Sequence, residues 1–389
     1  MDKASDSPTG YDLSTIDQNE LTPIVRRSLE NRRATISDWR YDRLHGGAGD
    51  FGSVVSGVYR FSGSALDHES HLDWSIILKV VGTTAEQDDP THSRYWKREI
   101  MAYQSEQLTK LPDGFTSPRF LGSRRFSEKI AGIWMEDVRD EVGSKWPIER
   151  YGVVARHLGR FNGAYLTDRE LPSWSWLFRD WPRALVTDNA TPGAERFRRT
   201  LEEPHVRAWF ADGDAKRALI LWEERQRYFD LLDRLPQTLL HRDAFRRNLF
   251  IRHDAEGSEE IVAVDWAYVG IGAIGEDIVP LVHGSLAFSE VAVGEARKLE
   301  SICIEGYLNG LSDAGWHGNP RLVRLGYAAG SAICFGIGYV GLDPLPEDAF
   351  SWLEQAFGLP IDDLMVLSAQ LRHFVLDLAD EARSLMDIL

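Results

Sequence analysis

The chain has 389 residues, and its 44 lysines and arginines against 60 aspartates and glutamates give a net charge of −16. Hydrophobic residues make up 43% of the chain, which is enough for a large core and excludes wholesale disorder. The acidic excess argues against a nucleic-acid partner, because a duplex-binding protein needs a basic face. Two cysteines cannot form a disulfide framework, and the first ten residues lack the apolar segment of a signal peptide, so a cytoplasmic protein is predicted.

The first 140 residues are predicted to be mostly sheet. Residues 1 to about 20 are polar and are expected to be loose, and a short helix follows with Thr22 as N-cap and Pro23 at its first position. The runs SVVSGVYRF and WSIILKVV predict two strands joined by a polar connection, GSALDHESHLD. Residues 93–108 are expected to be helical, and PRFLGSRRF and AGIWMEDV predict two further strands.

The remainder of the chain is predicted to be mainly helical. A stripe of apolar residues at helical spacing follows Ile148; it consists of Val154, Leu158, Phe161 and Tyr165. The segments LFIR and IVAV predict a small hairpin, and the chain is helical again from Asp277. The uncharged segment 326–342 is short for a membrane span and contains five glycines, which favours a buried helix and no membrane partner. The tryptophan-rich stretch 173–182 is either core or part of a ligand site.

One motif carries the chemistry. In the segment HRDAFRRN, Asp243 is followed five residues later by Asn248, and Asp265 lies 17 residues further on, at the end of the predicted hairpin. This order suits phosphoryl transfer, in which Asp243 would accept or orient the proton of the acceptor hydroxyl. Asn248 and Asp265 supply the hard oxygen ligands that Mg²⁺ prefers when a nucleotide supplies the others. His241 is expected to be a structural hydrogen-bonding residue rather than an acid or base.

Two upstream residues complete the nucleotide site. Lys79 ends the apolar strand WSIILK and is expected to reach the α- or β-phosphate of ATP, and Glu99 on the next helix is placed to pair with it. The glycine-rich segment 46–57 supplies Gly47 and Gly49, which serve either a phosphate contact or only a tight hairpin.

These motifs resemble the aminoglycoside phosphotransferase family, the small-molecule branch of the protein-kinase-like fold. The resemblance implies an α+β, bilobal protein: an N-terminal extension (1–35), a small antiparallel-β N-lobe with one key helix (36–138) and a larger, mostly helical C-lobe (139–389). It implies ATP and Mg²⁺ as cofactors, bound between the lobes, and a hydroxyl of a small molecule as acceptor. It further assigns the adenine-binding hinge to residues 135–138, including Glu136 and Val138, and support of the catalytic loop to Asp277.

The sequence departs from the family at two points. Arg242 stands between His241 and Asp243, where most of the family has glycine, and it would meet either a phosphate or a local carboxylate. The glycine-rich segment is also only a loose match to the family pattern.

Two rival functions fit the sequence less well. A protein kinase needs an activation segment, but Asp277 follows Asp265 by only 12 residues and no APE motif lies between them. A pseudokinase normally lacks the lysine, the base or a metal ligand, all of which are present here. The acceptor stays open among aminoglycosides, other antibiotics, amino sugars, choline, sugars and nucleosides. A cationic acceptor would suit the acidic residues of the C-lobe, of which Glu290, Glu295, Glu300 and Glu305 are examples, although solubility explains them equally well.

Overall fold

The computed structural model describes residues 10–44, 55–83, 88–105, 107–143, 145–254, 256–338 and 350–386. Contacts divide the chain into two units. The amino-terminal unit comprises the chain up to Thr109 together with Ser117–Arg139, and the carboxy-terminal unit comprises Lys110–Thr116 together with the chain from Asp140 onward.

The regular elements follow in chain order. The strands are β1 (Thr35–Leu44), β2 (Val55–Asp67), β3 (Ser70–Gly82), β4 (Phe115–Thr116), β5 (Phe120–Arg125), β6 (Ile130–Glu136), β7 (Gln237–Leu240), β8 (Leu249–His253), β9 (Glu259–Ala263) and β10 (Gly270–Ala273). The α-helices are α1 (Gln18–Ser28), α2 (Arg98–Gln104), α3 (Ile148–Ala164), α4 (Trp181–Asn189), α5 (Thr191–Thr200), α6 (Pro204–Arg207), α7 (Asp214–Arg234), α8 (Ile278–Ala287), α9 (Ala296–Asp313), α10 (Pro320–Ser331), α11 (Phe350–Phe357) and α12 (Ile361–Leu385). Short 3₁₀-helices at Arg246–Asn248 and Trp266–Tyr268 and a π-helix at Ala332–Gly338 interrupt this pattern.

An antiparallel sheet in the order β1-β2-β3-β6-β5 forms the amino-terminal unit. Its central strand β3 is buried along its second half, which explains the continuous apolar run of that strand. The expected polar connection GSALDHESHLD is wrong in extent: β2 and β3 stay paired as far as Asp67 and Ser70. Buried Ala65 and Trp74 keep these ends in the core, so the turn needs only two residues.

The amino-terminal segment differs from its prediction. Leu13 and Ile16 are buried in the same core cluster as the sheet, so this part of the expected loose region is ordered. Helix α1 begins at Gln18, and its N-cap is Asp17, whose side chain accepts a hydrogen bond from the Glu20 amide. Pro23 therefore lies inside the helix rather than at its first position, because Asp17 caps the chain one turn earlier.

The carboxy-terminal unit is mainly helical. The predicted stripe of α3 is buried throughout. The predicted hairpin is β8 and β9, and β9 also pairs in parallel with β4. A sheet-rich first part followed by a helical second part confirms the predicted α+β class. Among the described residues, no helix combines the length and apolarity needed to span a membrane.

Helices α3 and α9 pack through glycines. A Cβ added to Gly159 of α3 would lie 2.2 Å from the Tyr307 carbonyl oxygen, and one added to Gly306 of α9 would lie 2.1 Å from that of Gly152. The two backbones therefore approach more closely than any side chain would allow. This contact matters for the site because α3 carries Asn162, which is described below.

We expect Gly310→Ala to destabilise the protein by about 1–3 kcal/mol, although alanine is the better helix former by about 1 kcal/mol. The new Cβ would lie 2.0 Å from the Arg156 carbonyl oxygen, and a backbone atom cannot rotate away. Urea unfolding measures the effect. Gly294→Ala is the matched control, because no atom lies within 4 Å of its added Cβ. Equal stability of the two variants would contradict this close packing.

Candidate active site

The segment that follows β7 is held by a buried carboxylate. Asp277, directly before α8, accepts hydrogen bonds from the backbone amides of His241 (2.9 Å) and Arg242 (2.7 Å). Asn162 of α3 donates its side-chain amide to the same carboxylate at 2.9 Å. Since a fully buried carboxylate is stable only when donors surround it, these bonds fix the start of the loop that follows β7.

His241 connects this loop to the segment after β9. Its Nε2 lies 3.0 Å from the Val264 carbonyl oxygen, and its Nδ1 accepts the Asp243 amide at 3.2 Å. The ring is fully buried and meets Trp266 edge to face. This geometry supports the structural role predicted for His241.

Asp243 and Asn248 are in direct contact. The Asn248 side-chain NH₂ donates to the Asp243 carboxylate at 2.7 Å and to the Asp243 carbonyl oxygen at 2.9 Å. Because both donor bonds point toward Asp243, the amide oxygen of Asn248 faces away from it. An amide oxygen is one of the hard ligands that Mg²⁺ accepts.

Asp265 sits in a left-handed backbone conformation, with φ 64° and ψ 65°. Such a conformation is uncommon for residues other than glycine, asparagine and aspartate, and it clusters at functional sites. The preceding residue, Val264, donates its amide to the Asn248 carbonyl oxygen at 2.9 Å and accepts from His241. Trp266 is buried and donates its indole N–H to Ala263. The structure thus brings the backbone segments that carry Asn248 and Asp265 together.

This donor set fits Mg²⁺. One carboxylate and one amide oxygen are hard ligands, and nucleotide phosphates and water supply the remaining ligands of Mg²⁺ in such sites. No group of three or more histidine, cysteine, aspartate or glutamate side chains among the described residues could hold a metal by itself. When bound, the metal would neutralise phosphate charge.

The amino-terminal unit contains the other predicted pair. Lys79 on β3 and Glu99 on α2 form an ion pair, with Nζ and Oε2 2.7 Å apart. Both residues are buried, at 6% and 2% exposure. A carboxylate in this position holds the lysine side chain in one conformation. Helix α2 is shorter than predicted, because the buried Arg98 guanidinium binds the His92 and Ser93 carbonyl oxygens and stabilises turns before the helix.

Of the other residues that are predicted to bind the nucleotide, two lie in the described part of the chain and two do not. Glu136 ends β6, and its backbone amide donates to the Arg119 carbonyl oxygen at 3.1 Å, so this amide is engaged within the protein. Val138 lies two residues further on and is half-buried. Gly47 and Gly49 lie outside the described residues.

Sequence reasoning missed Asn162 and the ion pairs of two of the four glutamates. A polar residue beside the apolar stripe of α3 was the available signal for Asn162, which also accepts the Tyr307 hydroxyl at 2.7 Å. Glu290 pairs with Arg246 and Arg247, and the buried Glu300 pairs with Arg324. The charges of these two glutamates are therefore already matched within the protein.

The tryptophan-rich stretch is mostly core. Trp176 and Trp181 are buried, and Trp181 packs on Tyr268 with ring centroids 4.5 Å apart. Trp174 is half-buried and stacks on Trp176.

We expect Glu99→Gln to lower the free energy of unfolding by about 3–5 kcal/mol, because it leaves the Lys79 charge buried without its partner. The double variant Lys79→Met/Glu99→Leu removes both charges and is expected to restore much of this stability but not ATP binding. Urea unfolding and calorimetric ATP titration measure the two effects. Wild-type ATP affinity in the double variant would remove Lys79 from the nucleotide site.

The chain resembles known proteins in sequence and in fold. Residues 134–307 match the APH family, described as "Phosphotransferase enzyme family". Comparison with curated proteins gives no match. The solved structures that resemble the chain include a choline kinase from Cryptosporidium parvum Iowa II, with 14% identity, 94% of this chain and 96% of that chain covered, and a TM-score of 0.51.

Two further structures are similar at lower TM-scores. One is amicoumacin kinase hAmiN in complex with AMP-PNP, Ca2+ and Ami, with 13% identity, 87% and 88% coverage of this and that chain, and a TM-score of 0.47. The other is aminoglycoside phosphotransferase APH(3'')-Id from Streptomyces rimosus ATCC10970, with 13% identity, 82% and 99% coverage, and a TM-score of 0.41.

The fold is therefore kinase-like, as predicted, since the choline kinase matches over nearly the whole of both chains. The segment that matches the APH phosphotransferase family, residues 134–307, contains the HRDAFRRN motif and Asp265.

Proposed function

We propose that the protein transfers the γ-phosphate of ATP to a hydroxyl group of a small molecule. The observation that carries this proposal is the hydrogen bond between Asp243 and Asn248. Asp277 binds the Arg242 amide just before Asp243, and the Asn248 carbonyl oxygen accepts the amide of the residue before Asp265. A base or orienting carboxylate thus lies in the same short segment as a cation ligand. Phosphoryl transfer depends mainly on such positioning and on neutralising charge.

Each proposed residue has one task. Asp243 accepts the proton of the acceptor hydroxyl or orients that hydroxyl for attack on the γ-phosphorus. Asn248 and Asp265 would hold Mg²⁺. Lys79, fixed by Glu99, binds the α- or β-phosphate. The carbonyl of Glu136 and the backbone of Val138 bind the adenine, and Gly47 and Gly49 bind phosphate oxygens.

A small acceptor is favoured over a protein by the segment between Asp265 and Asp277. Residues Trp266–Tyr268 form a 3₁₀-helix, and β10 follows at once, paired with β7 and hydrogen-bonded to Phe178. Because most residues of this short stretch belong to these elements, too few remain to form a peptide-docking loop. Aminoglycosides, other antibiotics, amino sugars, choline, sugars and nucleosides are the acceptor classes to test.

A screen tests the proposal directly. Hydroxylated antibiotics and metabolites are added singly to the protein with ATP and Mg²⁺, and acceptor-dependent release of ADP is measured. At least one class is expected to raise ADP release well above the rate without acceptor, and Asp243→Asn is expected to lose the stimulation. ADP release that no acceptor stimulates would contradict the proposal.

A cationic acceptor has a separate signature. The net charge of −16 predicts that its KM rises several-fold between low and moderate salt while kcat stays nearly constant, because the Debye length shortens to about 10 Å at 0.1 M. Because Glu290 and Glu300 are already paired with arginines, this salt dependence of KM would come from the other acidic residues. Steady-state kinetics at several salt concentrations measure it. A KM that ignores salt would favour a neutral sugar or nucleoside.

A further inference from the structure

Arg242 has an unusual backbone for its residue type. It lies between His241 and Asp243 with φ 67°, in the left-handed region that glycine adopts without strain. Its side chain is nevertheless large and buried, and the residue is only 5% exposed. An arginine persists in such a conformation only when its surroundings hold it there.

Strand β10 provides the room for this side chain. A Cβ added to Gly270 would lie 3.0 Å from Nε of Arg242, and one added to Gly272 would lie 2.6 Å from its Nη2. Between these glycines, the Ile271 carbonyl oxygen accepts a hydrogen bond from the same Nη2. The guanidinium therefore lies directly against the backbone of β10, where any side chain at either glycine would displace it.

A buried carboxylate accompanies the guanidinium. A Cβ added to Gly272 would also lie 2.2 Å from Oε2 of Glu276, so this carboxylate and Arg242 border one small space. Oε2 also accepts the Ala273 amide at 2.7 Å. Burial raises the pKa of Glu276, and the positive charge of Arg242 opposes that rise.

We propose that Arg242 is a positioning residue for the proposed phosphotransfer: its side chain, held by β10 and Glu276, fixes the left-handed turn that aims Asp243. This inference rests on the proposed function. Asp277 binds the amides of His241 and Arg242, and the next amide, that of Asp243, bonds to Nδ1 of His241 at 3.2 Å. Asn248 binds the Asp243 carboxylate directly, and the φ and ψ angles of Arg242 set the direction in which the chain enters Asp243. The buried guanidinium constrains those angles. A guanidinium buried against β10 does not itself bind substrate.

Three variants separate positioning from folding. Arg242→Gly removes the side chain and suits the left-handed backbone, so any loss cannot come from new strain. Arg242→Gly/Glu276→Gln also removes the carboxylate that would otherwise be buried without its cation. Arg242→Lys keeps the positive charge but loses the planar guanidinium group with its several N–H donors. Arg324→Lys is the control, because Arg324 is a half-buried arginine whose charge pairs with Glu300 and Glu381 of helices α9 and α12.

Hydrogen exchange and kinetics give the decisive readouts. We expect Arg242→Gly and the double variant to exchange the amides of residues 241–243 about tenfold faster or more than wild type. With the acceptor found by screening, we expect kcat to fall about 10- to 100-fold while the KM for ATP changes less than about threefold, as for a group that acts in the transition state. Arg242→Lys is expected to give exchange rates and a kcat between those of Arg242→Gly and wild type. Arg324→Lys is expected to keep wild-type exchange at 241–243 and wild-type kcat.

Two results would overturn the inference. One is wild-type exchange at 241–243 in the double variant. The other is a loss of thermal stability in both Arg242→Gly variants with kcat within twofold of wild type, which would make Arg242 a purely structural residue. If the wild-type protein itself phosphorylates no acceptor, the proposed function fails, whereas the exchange measurement still decides whether Arg242 holds the turn.

Discussion

Replacing Asp243 by asparagine is expected to lower kcat for acceptor phosphorylation by about two to four orders of magnitude, with little change in ATP affinity. Asparagine keeps an oxygen that can accept the 2.7 Å hydrogen bond from Asn248, so the loop should keep its conformation. What is lost is the negative charge that takes or orients the proton of the hydroxyl. Because Asp243 is proposed to address the acceptor, ATP binding should survive.

Steady-state kinetics and calorimetric ATP titration measure the two parts of this prediction. Asp362→Asn is a suitable control, since Asp362 is an exposed carboxylate in the first turn of α12. Comparable turnover by Asp243→Asn and wild type would remove Asp243 from the mechanism. A parallel loss of ATP affinity would place it at the nucleotide instead.

Replacing Asp265 is expected to weaken the magnesium-dependent part of ATP binding by more than about 100-fold, because even groups that only support a metal ligand are worth about 10- to 100-fold. Asp265→Asn is the sharper variant, since asparagine tolerates the observed φ of 64° and alanine does not. Asp265→Ala should show the same loss together with lower stability.

ATP titrations with and without Mg²⁺ test this assignment. The variant should bind ATP about as wild type does when Mg²⁺ is absent, and should gain little when Mg²⁺ is added. The control is again Asp362→Asn, which should show the full gain. An undiminished magnesium-dependent gain in both Asp265→Asn and Asp265→Ala would show that Asp265 is not a ligand.

The parts of the fold that the sequence predicted are those with a strong local pattern. The apolar run before Lys79 is a central strand, and the stripe from Val154 to Tyr165 is the buried face of α3, because burial imposes the period of the element on the sequence. The predicted start of α1 was wrong because the sequence contains two N-capping signals in this region. Thr22–Pro23 fits the usual pattern, but Asp17 caps the helix one turn earlier.

The candidate site was predictable where its residues are close in sequence. Asp243 and Asn248 lie five residues apart and touch, as the motif indicates. Of the partners that hold this loop, Asp277 was predicted through the family resemblance, whereas the others are distant in sequence and carry no local signal of their own. Asn162 lies in a helix of mostly apolar pattern, and Gly270 and Gly272 have a role only because the side chain of Arg242 lies against them. Such contacts arise from tertiary packing, which no local pattern encodes.

The most direct test of the central claim is ³¹P NMR of a reaction that contains the protein, ATP, Mg²⁺ and the acceptor that gives the fastest ADP release. Transfer to a hydroxyl predicts a new phosphomonoester resonance that grows in step with ADP, with little inorganic phosphate. The same mixture with Asp243→Asn should show almost no new resonance. Formation of ADP with an equal amount of inorganic phosphate, and without a phosphomonoester, would contradict the claim that this protein phosphorylates a small-molecule hydroxyl.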